Sequence, residues 1–231
     1  MFHAWLLGSA VIGYFLGSLP FGAMVARSHG VDIFKEGSGN PGATNVKRVL
    51  GEKFGAKGKR AGNLVFGLDV LKGAVASGWS LLAWTSLSVS VDLENGNGAA
   101  VITGQDWRLL GLAGVIGAIL GHSFSIFTKF KGGKGVATAA GGVLMLMPVS
   151  CLIGGLVWII TFYATRYVSL GSILAAVAVP ASSWLRGNPL PLNIAITLIG
   201  LFVIVRHRTN ITRLLNGTEN KFTKKQPPVQ S

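Results

Sequence analysis

Residues 136–165 read VATAAGGVLMLMPVSCLIGGLVWIITFYAT, thirty consecutive residues without a charged side chain. About 20 apolar residues are enough for a helix to cross the ~30 Å hydrocarbon core of a bilayer. Pro148 stands near the middle, where a continuous helix would lose a hydrogen bond. The stretch therefore predicts two membrane helices, 136–147 and 148–165. The first would be only about 18 Å long at 1.5 Å per residue, so a re-entrant segment is the alternative.

Similar apolar blocks make up most of the chain. Half of its 231 residues are hydrophobic and 13% are charged, whereas a soluble domain typically carries about 25% charged residues. The sequence predicts a single all-α, polytopic integral membrane domain over 1–231, with a flexible tail at 221–231. The first block has no basic segment before it, so we predict a retained helix and not a cleaved signal. The other apolar blocks are 4–26, 64–91, 109–127, 168–185 and 190–205.

Charge predicts the orientation. The net charge is +13, and basic residues concentrate in the polar segments 27–62, 128–135 and 206–231. Lys and Arg are enriched in cytoplasmic loops, so all three should be cytoplasmic and the more acidic 92–108 should lie outside. The N-terminus is then outside and the C-terminus cytoplasmic. We predict seven crossings, or five if 136–147 does not cross. Basic charge confined to one membrane face favours lipids and anionic substrates over nucleic acid as partners.

The loop GSGNPGATN at 37–45 predicts an oxyanion site. Its glycines permit unusual backbone geometry, its polar side chains donate hydrogen bonds, and a nearby guanidinium adds charge. A helix beginning near Ala43 would aim further N–H groups at the same anion. A plain surface turn has a similar composition and is the alternative. The candidate residues are Gly37, Ser38, Gly39, Asn40, Gly42, Thr44, Asn45 and Arg48.

A second glycine-rich loop, FKGGKGVAT, covers 130–138. Lys134 lies between Gly133 and Gly135, two residues after Gly132, with room to approach a phosphate. An anchor at the lipid headgroups is the alternative. A nucleotide-binding P-loop is disfavoured because Gly135 stands where that pattern needs Ser or Thr.

The third segment, HRTNITRLLNGTE, covers 207–219. His207, Asn210 and Arg213 recur every three residues and would share one helix face. That face would present an imidazole, an amide and a guanidinium. An amphipathic helix lying at the headgroups is the alternative.

Ionisable residues inside apolar blocks are costly and are functional candidates. Asp69 and Lys72 are three apart and can form an ion pair, which we expect to support a glycine loop. His122 is expected to be a packing residue. Ser169 and Ser172 can donate either to an anion or to the preceding helical turn.

Several chemistries are disfavoured. The single cysteine, Cys151, excludes an internal disulfide and a cysteine-cluster metal site,. No histidine is followed five positions later by aspartate, and no GxSxG elbow is present,. We expect neither a metal nor an organic cofactor.

Taken together, these segments resemble the bacterial acyl-phosphate:glycerol-3-phosphate acyltransferases. GSLPFG at 17–22 with the 37–45 loop and Arg48 resembles the first motif of that family, LDVLKG at 68–73 a further signature, and the 130–138 and 207–219 segments the second and third motifs. Ser125 follows Phe124 where the family usually has proline, and 52–62 and 92–107 are longer than usual.

The resemblance implies an enzyme of phospholipid synthesis with seven membrane helices in the bacterial cytoplasmic membrane. It would transfer a fatty acyl group from acyl phosphate to the 1-hydroxyl of glycerol 3-phosphate at the cytoplasmic face, giving lysophosphatidic acid and phosphate. We expect a monomer. A membrane transporter for a phosphorylated anion is the alternative. The general base, either His207 or a substrate phosphate, is left open. The implied catalytic residues are Ser38, Arg48, Lys134, His207 and Asn210, with Thr44, Asn45, Ser172 and the loop glycines around the substrates.

Overall fold

The computed structural model describes residues 2–81, 90–91, 100–101 and 106–222. Apart from one two-residue β ladder, its regular structure is helical, which confirms the predicted all-α bundle. Strands β1 (Ser90–Val91) and β2 (Ala100–Val101) pair antiparallel. Most of the predicted outside segment, 92–108, lies outside the described residues. The α-helices are α1 (Phe2–Ser18), α2 (Phe21–Ser28), α3 (Ala43–Gly78), α4 (Asp106–Ser123), α5 (Val136–Leu146), α6 (Pro148–Thr165), α7 (Val168–Leu185), α8 (Leu190–Arg206) and α9 (Arg208–Leu215), with a 3₁₀ turn at Ile126–Thr128.

The apolar stretch 136–165 is divided at Pro148, as predicted. Helix α5 ends at Leu146 and α6 begins at Pro148. Proline is tolerated in a first helical turn, where its missing N–H would have had no intrahelical partner. Arg166, in a left-handed conformation with φ 64°, then separates α6 from α7.

Helix α3 is a hairpin with a sharp turn at Gly55, where φ is 60° and ψ is −129°. We call residues 43–54 arm A and residues 56–78 arm B. The arms pack closely because a Cβ on Gly58 would overlap the Leu50 carbonyl, and a Cβ on Gly62 would overlap Lys47. Much of the polar segment 27–62 is therefore an ordered helical hairpin.

The chain repeatedly returns to one end of the bundle. Ser125 Oγ donates to the carbonyl of Ser18 at the end of α1, and the Gly133 N–H donates to the carbonyl of His122 in the last turn of α4. The Phe222 N–H donates to the Arg166 carbonyl between α6 and α7. These contacts bring the polar segments together; we call this the site end.

By length and composition, four segments can each cross a membrane: His3–Ser28, Trp107–Thr128, α6 and α7. Helices α8 and α9, bent by 57°, together form a fifth candidate, and α5 is a shorter apolar helix. The seven crossings and the orientation of the termini remain predictions.

Two buried clusters hold the bundle. One joins α4, α5 and α8 through residues such as Val115, Val143 and Ile196. The other fills the space between α2 and the α3 hairpin, around Val46 and Val65. Large apolar side chains elsewhere are well exposed, which is the surface expected of helices that face lipid,.

Candidate active site

The first glycine loop is organised around Asn45. Its Oδ1 accepts hydrogen bonds from the Ser38 N–H at 3.0 Å and from the Arg48 guanidinium at 2.7 Å. Its Nδ2 donates to the Glu36 carbonyl at 3.0 Å. Asn45 is buried, whereas Ser38 is exposed. The loop thus presents Ser38 and Arg48 from a fixed frame.

The glycines of this loop are required by its backbone. Gly37 and Gly39 have φ of 59° and 67°, in the left-handed region that other residues rarely occupy,. The Gly42 N–H donates to Asn40 Oδ1 at 2.8 Å, and Gly42 precedes the first residue of α3. Thr44 is exposed in the first turn of that helix. The predicted helix start near Ala43 is therefore confirmed.

The second loop is clamped on both sides. Arg206 donates through Nη2 to the carbonyls of Gly132 and Gly133 at 3.2 and 2.8 Å, and its guanidinium lies 5.1 Å from the centre of the Phe124 ring. The opposite side contacts His122 closely, since a Cβ on Gly133 would lie 2.1 Å from its Nε2. Gly135, with φ 82°, then leads into α5. The loop holds Lys134 in one position.

Lys134 reaches the third segment. Its Nζ donates to Asn210 Oδ1 at 2.5 Å, and Asn210 Nδ2 donates to Glu219 Oε1 at 2.7 Å. Glu219 also accepts from Ser169 Oγ and from Arg213 Nε, each at 2.7 Å. A continuous polar network thus joins the second loop, α9 and the start of α7.

The charges around Lys134 favour an anion. Burial lowers the pKa of Lys134 to about 8; Glu219 opposes this shift, and Arg213, Arg206 and Arg48 add to it. For Glu219, burial is the largest single influence and raises the pKa of the carboxyl group. The hydrogen bonds from Arg213, Ser169 and Asn210 act in the opposite direction, and together with the charge of Arg213 they leave the pKa below its ordinary value. The cluster therefore has more positive than negative charge, and Arg48 of the first loop contributes to it.

His207 is neutral at physiological pH. Burial and the neighbouring Lys134 lower its pKa to about 4. Its Nδ1 lies 2.7 Å from the Val203 carbonyl, which can only accept, so Nδ1 carries the proton,. Nε2 consequently holds a lone pair and can accept a proton.

Asp69 and Lys72 form the predicted ion pair, at 2.9 Å, with both side chains almost fully buried. His122 Nδ1 lies 3.5 Å from the same carboxylate, and Lys72 Nζ donates to the Leu19 carbonyl at 3.1 Å. Since His122 also packs on Gly133, the group links arm B to the second glycine loop. That these residues support the loop stays a prediction.

A small crevice is lined by the 17–22 segment, by Pro41 of the first loop, by Gly132 and Gly133 of the second, and by Asp69 and Lys72. Ser172, a predicted site residue, does not join the polar network around Lys134. Its Oγ donates to the Val168 carbonyl at 2.9 Å and accepts from Trp158 Nε1 at 3.3 Å. Ser169 enters the network in its place.

Sequence reasoning missed two residues of this site. Glu219 is the lone acidic side chain of the basic segment 206–231, and this isolation is the signal that could have marked it as the partner of a neighbouring cation. For Arg206 the sequence indicates only a positive charge. Its contacts to Gly132 and Gly133 span more than seventy residues of sequence, which no local pattern reveals.

Comparison with known proteins gives one consistent answer. A family model described as glycerol-3-phosphate acyltransferase matches residues 7–217. Glycerol-3-phosphate acyltransferases from Aquifex aeolicus and Fusobacterium nucleatum are each 41% identical to this chain, over 92% of it and 96% and 95% of their own lengths. Crystal structures of PlsY, an integral membrane glycerol 3-phosphate acyltransferase, are also similar. Its glycerol 3-phosphate form has a TM-score of 0.74 at 39% identity, covering 94% of this chain and 96% of that one. Its lysophosphatidic acid form has a TM-score of 0.73.

Proposed function

The chain belongs to the glycerol-3-phosphate acyltransferase family, and on this premise we propose that its acyl donor is acyl phosphate. The reaction would transfer the fatty acyl group to the 1-hydroxyl of glycerol 3-phosphate and release 1-acyl-glycerol 3-phosphate and inorganic phosphate. The observation that carries this proposal is the position of Lys134, which contacts Asn210 and lies close enough to Arg48 and Arg213 for their charges to lower its pKa. Basic groups from all three polar segments thus lie close together.

Both proposed substrates carry phosphate, so the first task of the site is to hold two anions close together. We assign Ser38, Arg48 and Lys134 to phosphate binding and to stabilising the charge that develops during transfer. The N-termini of α3 and α5 follow the two glycine loops and add N–H donors,. Positioning two reactants in this way can remove several kcal/mol of the barrier.

His207 and Asn210 are assigned to orienting glycerol 3-phosphate. Its hydroxyl oxygen attacks the acyl carbonyl carbon, and the carbon–oxygen bond to phosphate breaks as the leaving phosphate takes the electron pair. The hydroxyl proton goes either to His207 Nε2 or to an oxygen of the donor phosphate. Either route balances without a metal or an organic cofactor.

The two proton acceptors are distinguished by His207→Ala. If His207 is the base, turnover at saturating substrate should fall by 10²-fold or more, because general base catalysis typically contributes about 10²–10⁴-fold. Near-normal turnover with a raised KM for glycerol 3-phosphate would assign the proton to the donor phosphate and leave His207 an orienting role.

The proposed donor is tested with detergent-purified protein, acyl phosphate and glycerol 3-phosphate. Phosphate release that depends on both substrates, together with lysophosphatidic acid formation, is the expected result. Acyl thioesters of coenzyme A and of acyl carrier protein serve as alternative donors. Transfer from a thioester at equal or higher kcat/KM would refute acyl phosphate as the donor.

Arg48→Ala should lose more than about tenfold in kcat/KM, the equivalent of ~1.4 kcal/mol.

We place the reaction at the cytoplasmic face of the bacterial cytoplasmic membrane. The support is the basic character of the site end, since cytoplasmic loops carry the excess of Lys and Arg. A transporter is less well supported, because its binding groups would lie near the middle of the bilayer. A cysteine introduced at Ser38 in a Cys151→Ser background should react with an impermeant reagent only from the cytoplasmic side.

A further inference from the structure

The turn of the α3 hairpin is a basic surface that the proposed reaction does not use. We call residues 52–60 the hairpin tip. It carries Lys53, Lys57, Lys59 and Arg60 against a single carboxylate, Glu52, and every residue of it except Gly58 is exposed.

The cations of the tip have few acidic partners. Lys53 pairs with Glu36 at 2.6 Å. Among the residues that the structure describes, no carboxylate lies within 4 Å of Lys57, Lys59 or Arg60. Three positive charges at the tip thus have no acidic partner among the described residues.

Arm B places the tip relative to an apolar surface of the hairpin. Leu64, Leu71 and Val75 form an exposed apolar stripe, with 55%, 56% and 48% of their surfaces accessible. Lys57 and Arg60 continue that stripe at helical spacing. At 1.5 Å per residue, Arg60 lies about 6 Å and Lys57 about 10 Å beyond Leu64 along the helix axis. With Leu64 at the edge of the hydrocarbon core, Arg60 lies within the headgroup layer of roughly 5–8 Å. Lys57 lies just beyond that layer, from which its long side chain can reach the lipid phosphates.

Phe54 adds an apolar contact at the same place. It is 43% exposed at the end of arm A, with its ring centre 5.6 Å from that of His29. An exposed aromatic ring among cations is typical of surfaces that lie in a membrane interface.

We propose that the hairpin tip binds the anionic phospholipid headgroups of the surrounding bilayer. The lipid phosphates supply the counter-charge that the described residues do not, and the Phe54 ring enters the interface beside them. The proposal requires an integral membrane protein and is independent of the acyl donor.

The test places a fluorophore on Ala56→Cys in a Cys151→Ser background of the full-length protein. The protein is reconstituted into nanodiscs of phosphatidylcholine, alone or with one third phosphatidylglycerol, each containing a trace of lipid with a nitroxide on its headgroup. We expect quenching to be at least about twofold stronger in the anionic discs. It should fall to the neutral level in about 0.5 M salt, where the Debye length is roughly 4 Å.

The triple variant Lys57→Gln, Lys59→Gln, Arg60→Gln should lose the dependence on anionic lipid while keeping its acyl transfer. The control Lys129→Gln, Arg208→Gln, Lys221→Gln removes the same charge from exposed positions in the other two basic segments, 128–135 and 206–231, and should keep the dependence on anionic lipid. The single variant Lys57→Glu, in case the triple does not fold, should weaken quenching in anionic discs only. Equal quenching in both lipids, or a triple variant that behaves like the parent, would refute the proposal and leave the tip to an acidic protein or to no partner.

Discussion

Lys134 is the residue whose environment most directly controls the chemistry. It is a cation held by burial at a pKa of about 8, so a modest rise in pH removes the charge that we assign to phosphate binding. His207 is perturbed in the same direction and is already neutral. The structure therefore presents a titratable cation beside a neutral imidazole.

The pH dependence of kcat/KM tests the role of Lys134. Lys134 is protonated below its pKa and neutral above it, so kcat/KM should decline as the pH rises through about 8,. In kcat the decline should move to higher pH, because a bound phosphate stabilises the cation. Lys134→Arg keeps the charge beyond pH 12 and should remove the alkaline decline, whatever its absolute rate. An unchanged decline in that variant would assign the titration to another group.

Arg206 is expected to position the second glycine loop. Arg206→Gln removes two hydrogen bonds from a charged donor, each worth about 1.5–3 kcal/mol. We expect kcat/KM to fall by about 10- to 150-fold, the equivalent of losing one such bond (about 1.4–3 kcal/mol), with Arg206→Lys restoring part of the loss. The control is Arg208→Gln, two positions further on and exposed, which should stay within about twofold of the parent. Similar losses in both variants would point to a general effect of charge.

Individual helices were predictable where a residue type imposes their ends. Pro148 divides α5 from α6 because proline cannot continue a helix, and the predicted block 168–185 has the bounds of α7. The α3 hairpin was less accessible. Its basic residues lie on two helical arms and not in a loop, because Gly58 and Gly62 allow arm B to pack closely against arm A. Neither the charge nor the hydropathy of the sequence indicates this packing.

The ion pair inside α3 predicts a non-additive effect on stability. Asp69→Leu would leave Lys72 as an uncompensated buried charge, at a cost of about 3–5 kcal/mol, whereas replacing both partners by apolar residues is often nearly neutral. The double variant Asp69→Leu, Lys72→Met should therefore unfold at a higher temperature than either single variant. Thermal unfolding of the detergent-purified protein measures this. A double variant that loses the sum of the two single losses would show that the residues act independently.

The site as a whole depends on helices that are distant in sequence meeting at one end. Asn45, Lys134 and Glu219 were each visible in the sequence within a polar segment. Their convergence could be inferred from the positive-inside rule only as a shared membrane face, whereas the individual contacts depend on how the helices pack. That packing relies on small residues, as expected where lipid provides no hydrophobic drive between helices.

The close contact of α1 with α4 provides a test at this level. A Cβ on Gly117 would lie 2.1 Å from the Ala10 carbonyl oxygen, whereas one on Gly8 of α1 would meet nothing within 4 Å. Gly117→Ala should force the two helices apart and lower the midpoint of thermal unfolding by several degrees. Gly8→Ala should be neutral or stabilising, since alanine favours a helix over glycine by up to about 1 kcal/mol.

Because α1 and α4 also carry Ser18 and His122 to the site end, Gly117→Ala should reduce acyl transfer even below its unfolding temperature. Equal unfolding midpoints for the two variants would mean that this helix contact does not limit the stability of the bundle.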